Sequence, residues 1–164
     1  MSYRCAVCGS LHEGTDVPDL GMQFPDPYLD VPEQERDERT EHDSDTCIVR
    51  DEDGEHYFIR GVILIPVHGQ DEPLGIGVWV SQSRQNFERY RANEATAPTF
   101  GWLCNRIDFY QDSTYALKTR VHFHEDGQRP TIELEPTEHP LAVAQRDGIS
   151  LAKVWEIVHK YLPN

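Results

Sequence analysis

The chain contains no long apolar run. No segment approaches the roughly 20 consecutive apolar residues that span a bilayer, and the opening MSYRCAVCGS has no apolar h-region of the kind that directs export. A membrane-spanning or secreted protein is therefore not expected, and the expected location is cytoplasmic. Cations are also scarce: 15 Lys and Arg stand against 29 Asp and Glu, a formal net charge of -14. Nucleic acids are bound largely through counterions released by Lys and Arg, so this balance argues against DNA and RNA. It likewise repels anionic lipid surfaces, while favouring encounter with a basic protein partner. Only four cysteines are present. In a reducing compartment they read as metal ligands or free thiols rather than as disulfides.

Familiar catalytic signatures are missing as well. No Gly-x-Ser-x-Gly surrounds Ser81, Ser83 or Ser113, and there is no His-Glu-x-x-His. Gly75-Ile76-Gly77 fails as a dinucleotide fingerprint, because Val80 stands where a third glycine or alanine belongs. Asp43 and Asp45 begin like a calcium loop, yet Cys47 occupies the next ligand position and the required glycine is absent.

With 164 residues, a 38% hydrophobic fraction and a 10% aromatic fraction, the chain has the length and composition of one domain that buries its own core. We read residues 1–164 as that single domain, with 1–47 a metal-binding and proline-rich wrapping segment and 48–164 an α+β core. The expected fold is a largely antiparallel sheet with C-terminal helices packed on one face and an N-terminal zinc-knuckle segment.

Prolines and glycines between residues 13 and 32 forbid a long helix there and imply an extended wrap. Pro32 suits the start of a short polar helix through Arg39. Thr46 to Arg50 and His56 to Ile65 read as strands around a tight turn at Asp51-Glu52-Asp53-Gly54, and residues 74–81 as a third. Ser83 is placed to cap a helical turn through Arg91, followed by a loop to Thr99.

Leu117 to Glu135 reads as a hairpin around Asp126-Gly127. That turn pairs Arg120 with Glu133, Lys118 with Glu135 and Val121 with Ile132, so charge and hydrophobicity select one register. Thr137 is expected to cap a helix through Gln145 that stops at Gly148. Ser150 is expected to cap a second, over Leu151 to Leu162, whose Leu151, Val154, Trp155, Val158, Tyr161 and Leu162 form one stripe.

The strongest chemical pattern is Cys5-x-x-Cys8-Gly9-x-x-His12. Two thiolates three residues apart, a glycine tolerant of positive φ and a nearby imidazole suit a tetrahedral structural zinc ion. A redox Cys-x-x-Cys instead follows a strand and opens a helix, whereas only four residues precede Cys5. The fourth ligand is sought among Cys47, Cys104, His42 and water. Cys47 is favoured because the proline-rich segment can return the N-terminus to the edge of the first hairpin. Cys104, in Trp102-Leu103-Cys104-Asn105, reads as a buried free thiol, and water would leave an open, catalytic position.

Other polar groups carry less. His122 and His124 share one strand face, but the hairpin register makes it the solvated, charged one. Trp79, Phe87, Tyr90, Phe100 and Trp102 read as core aromatics rather than as a pocket lining. Gln145 and Arg146 are expected to pair with nearby carbonyls and carboxylates.

The pattern Cys-x-x-Cys-Gly-x-x-His, Ser44-Asp45-Thr46-Cys47, Phe58-Ile59-Arg60-Gly61, Gly77-Val78-Trp79-Val80-Ser81, Phe100-Gly101-Trp102-Leu103 and His139-Pro140-Leu141-Ala142 resembles a bacterial family of uncharacterised proteins, domain of unknown function 2199. The resemblance covers nearly the whole chain. It implies that Cys5, Cys8, His12 and Cys47 belong to the family pattern, and it brings no activity, substrate or partner. The function expected is that of a zinc-stabilised cytosolic binding protein, immunity- or antitoxin-like against a basic partner, with no identifiable catalytic motif. The alternative is a metal-dependent hydrolase with an open zinc site; a cofactor-free enzyme would draw on polar groups around Arg60, His122 and His139.

Overall fold

A computed structural model describes residues 2–4, 11–13, 20–107, 110, 112–125 and 127–161. The fold is α+β with a mixed, mostly antiparallel sheet and C-terminal helices. Strands β1 (Ser2–Arg4) and β2 (Leu11–Glu13) form an antiparallel pair of their own. Then come β3 (Leu20–Gly21), α1 (Asp26–Leu29), a 3-10 turn at Glu33–Glu35, α2 (Arg36–Arg39) and β4 (Thr40–His42). The central strands are β5 (Thr46–Asp51), β6 (Gly54–Ile65) and β7 (Leu74–Gln82), followed by α3 (Arg84–Arg91) and β8 (Thr99–Trp102). β9 (Lys118–His122), β10 (Thr131–Leu134), α4 (Pro140–Asp147) and α5 (Leu151–Tyr161) complete the chain.

The main sheet runs β3-β7-β6-β10-β9-β8. Along its edge away from β7, the long β6 pairs first with β5 and then, in parallel, with β10 at Val62↔Thr131. The sheet then curls back on itself: Leu103 bridges Val80, and the Cys104 N–H donates to the Trp79 carbonyl at 2.8 Å. Two glycines permit this closure. A Cβ on Gly61 would stand 2.6 Å from Ile132 and 2.9 Å from the Pro130 carbonyl, and one on Gly101 would stand 2.7 Å from the Ser81 carbonyl. Backbone approaches as close as these leave no room for a side chain.

The first hairpin forms as expected, with Asp51 opposite Gly54 so that Glu52 and Asp53 make the turn and Gly54 takes the positive φ. The second keeps the predicted register, Arg120↔Glu133 and Val121↔Ile132. Ladder pairing there ends at His122↔Thr131, so the connection is longer than two residues. Ser83 accepts from the Asn86 N–H and Ser150 from the Lys153 N–H, both capping as expected. Thr137 does not cap α4. Its hydroxyl accepts from the His139 N–H, and the His139 imidazole accepts from Leu141, because Pro140 at the first helical position moves the helix start two residues on. Leu162 lies outside the described residues.

Strand alternation sends two sets of side chains to opposite faces. Ile59, Ile63, Ile76, Val78, Val80, Val121 and Ile132 point to the helix-covered face and pack with Phe87 of α3, Leu141 of α4 and Val154 and Ile157 of α5. On the outer face, Cys47, Val49, Phe58, Trp79 and Cys104 pack beneath Tyr28 and Val31 of the wrapping segment. Hydrogen bonds hold that wrap in place. Trp79 Nε1 donates to the Met22 carbonyl at 3.0 Å, while Asn105 accepts from the Trp79 N–H and donates to the Phe24 carbonyl. No helix among the described residues is long and apolar enough to cross a membrane.

Candidate functional site

The wrap covers only part of the outer face, and beyond it a cleft of about 770 Å³ opens. Its geometry follows from three adjacent strands. Cross-strand partners Cys47↔Phe58, Val49↔His56 and Phe58↔Ser81 share one face, so β5, β6 and β7 present Val49, His56, Phe58 and Ser81 together. Val31, Val49, Phe58 and Cys104, all buried, make an apolar floor. Trp102, Tyr115 and Ala116 form one wall, and the β5–β6 turn supplies Asp51, Glu55 and His56 to the other. Ala116 holds a positive φ of 67°, an unfavourable conformation for a residue with a Cβ and one that concentrates at binding sites.

The polar groups of the cleft are mostly paired. His56 Nε2 lies 2.9 Å from Asp51 Oδ2, and this bond holds the Asp51 carboxyl below its ordinary range. Ser81 Oγ accepts from the Trp102 N–H, and Ser83 Oγ is committed to the α3 cap. Neither serine is hydrogen-bonded to His56, so these cleft residues form no serine–histidine pair. Gln82 is also spent, donating to the Ser81 and Phe100 carbonyls and accepting from Thr99.

Beside the cleft runs a strongly acidic edge. Between residues 33 and 55 there are eleven Asp and Glu against three Arg. All three arginines are engaged internally. Arg36 donates to the Val31 carbonyl, Arg39 to the Arg50 carbonyl and to Glu35, and Arg50 sits between Glu41 and Glu55. Exposed Glu33, Asp37, Glu38, Glu52 and Asp53 form no ion pair among the described residues.

Of the predicted metal ligands, Cys5 and Cys8 lie outside the described residues. His12 belongs to β2 opposite Tyr3, and its side chain lies outside the described set. Cys47 is fully buried in the outer cluster, where burial, aided by Asp43, pushes its thiol up to about 12. Burial also pushes Cys104 up to about 12, against a hydrogen bond from the Ser81 backbone. Both are free thiols. His42, a further ligand candidate, packs edge-on against Phe24 and Tyr28 at 5.1 and 5.2 Å. Among the described residues, no three His, Cys, Asp or Glu are gathered to hold a metal ion.

The structure corrects the aromatic assignment: Trp79 and Phe87 are core residues, but Phe100 and Trp102 are 46% and 43% exposed. Both sit on the uncovered side of β8, where no helix or wrap reaches them. The Asp51–His56 pair and the Trp102–Tyr115 wall have no linear motif. Their only trace in the sequence is period-two spacing, which core strands share.

Residues 4–149 match the model of a family described as uncharacterised proteins conserved in bacteria, DUF2199. The chain belongs to this family. No curated protein and no solved structure matches it. DUF2199 membership brings no reaction or ligand, so the functional reading rests on the cleft and the surface around it.

Proposed function

We propose that this DUF2199 protein is a binding protein whose cleft and acidic edge take a basic segment of a partner protein, in the manner of an immunity or antitoxin protein that masks a cationic effector. One observation carries the reading: an apolar-floored cleft with an exposed tryptophan on its wall lies directly beside a carboxylate-rich edge whose own arginines are already engaged. An apolar or aromatic anchor would enter the cleft, and Lys or Arg on either side would meet Glu52 and Asp53. Apolar contact contributes most of the affinity in such an interface, while charge sets the association rate and the choice of partner.

The test uses short synthetic peptides of fixed composition, one aromatic anchor flanked by four lysines or by four glutamates, followed by fluorescence anisotropy. The basic series should bind with strong salt dependence and weaken about tenfold or more in Glu52→Lys/Asp53→Lys. Equal binding of both series, or none, sinks the proposal.

A structural zinc held by Cys5, Cys8, His12 and Cys47 is part of the same reading. Its support is the ligand chemistry and the pairing of Arg4 with Leu11, which brings together the two ends of the segment that carries both Cys5 and Cys8. Metal analysis with cobalt substitution tests it: one ion per chain with a three-thiolate tetrahedral spectrum is expected. Fewer thiolates with bound water would favour the metal-dependent hydrolase.

A further inference from the structure

A second surface lies outside both the wrap and the floor of the cleft. Register pairs Phe100 with Arg120 and Trp102 with Lys118, so two exposed aromatic rings and two exposed cations share the outer face of β8 and β9. The rings are edge-to-face with centroids 4.9 Å apart, and Lys118 Nζ stands 6.0 Å from the Trp102 ring. Neither cation forms an ion pair among the described residues. Glu133, opposite Arg120 on β10, is taken instead by His122 at 3.0 Å. In a chain with nearly twice as many acids as bases, two cations without a direct ion pair beside two solvent-facing aromatics form a distinct chemical surface, bordered by Glu133 on β10 and by Glu135 just past its end.

We propose that this strip is a stacking platform for a free mononucleotide, with the base stacked on the Phe100 ring and its edge against the perpendicular Trp102 ring, and the phosphate held by Arg120 and Lys118. Exposed rings on a sheet face accept any base through its π-face, and neighbouring cations neutralise the phosphate. The chain's charge selects the monomer over the polymer. A single phosphate meets two local cations, whereas every further phosphate of an RNA or DNA strand would extend over a surface of the same sign as itself.

Calorimetric titration of the full chain with AMP, adenosine, ribose 5-phosphate and a ten-nucleotide oligoadenylate provides the test. AMP should bind at least tenfold more tightly than adenosine or ribose 5-phosphate, because only AMP engages both halves of the strip. Phe100→Ala and Arg120→Ala should each weaken AMP by about tenfold with unchanged circular dichroism and Tm, and Trp102→Phe should retain most of the binding. Phe100 and Arg120 lie outside the cleft, so binding of basic peptides should not change in these two variants. AMP binding no better than either half, wild-type affinity in both alanine variants, or tighter binding of the oligonucleotide than of AMP would each overturn the assignment.

Discussion

The two faces of the one sheet have been solved in opposite ways. Towards the helices, β6, β7, β9 and β10 all contribute to a continuous apolar layer, closed by Phe87, Leu141 and Val154. The outer face is covered over β5–β7 only, by a short wrap resting on Trp79 and Phe58, and beyond it β8 and β9 face solvent with rings and charges. The contrast is already visible within single strands. β7 is buried at every position from Leu74 to Val80, while β9 alternates exposed Lys118 and Arg120 with buried Thr119 and Val121. A continuous apolar run marks a strand covered on both sides and strict alternation one covered on a single side. The helix-covered face therefore carries stability, and the incompletely covered face has surface available for binding.

Several substitutions break or sharpen this division. Ile63→Ala, in the helix-covered layer, should lose about 2–5 kcal/mol in denaturant unfolding; a loss below about 1 would mean that this layer is not the stabilising one. Gly101→Ala forces a methyl against the Ser81 carbonyl at the seam where the sheet closes. It should cost about 1–3 kcal/mol by the same measurement, and a neutral outcome would show the seam to be slack. Asp43 sets a pH dependence. Burial opposes its charge, but hydrogen bonds from the Asp45 and Thr46 N–H groups and from the Thr46 hydroxyl, with Arg91 nearby, hold its carboxyl below the ordinary value. A carboxyl lowered on folding contributes stability that is complete above its unfolded value and is lost as pH falls through the folded one. Asp43→Asn should therefore cost stability at neutral pH in denaturant unfolding, and that cost should shrink as pH falls through the Asp43 range, flattening the acid side of the stability–pH curve. Trp102→Ala, on the open face, should shift stability by no more than about 0.5 kcal/mol while weakening peptide binding to the cleft; a large loss of stability would reclassify Trp102 as core. Smallest of all, native alkylation should leave Cys104 unmodified when sites are mapped by mass spectrometry, since burial pushes its thiol up and keeps it out of reach.

Much of the fold is legible in the residues because local rules agree with one another. Opposed charges and matched apolar positions select the β9–β10 register without help from the rest of the chain, and Ser83 and Ser150 mark helix starts through a bond spanning three residues. The cleft is less legible. Val31, Phe58, Trp102 and Tyr115 are distant in sequence, and their convergence depends on β8 returning to β7. That return rests on Gly101, one residue among eleven glycines. Strand β8 itself is only four residues long, follows a loop and carries two aromatics that look like core. The metal pattern at Cys5, Cys8 and His12 is the reverse case, plain in sequence and outside what the described residues decide.

By itself the sequence determined the α+β class, the two hairpins, the Ser83 and Ser150 helix caps, the acidic excess and the family, because each is written in short-range periodicity, turn chemistry, composition or a sequence pattern. Only the tertiary structure decided which aromatics are buried, where the sheet closes and which polar groups share a cleft. Those depend on what covers each face of a strand, and alternation along a strand says which residues share a face without saying what lies above it.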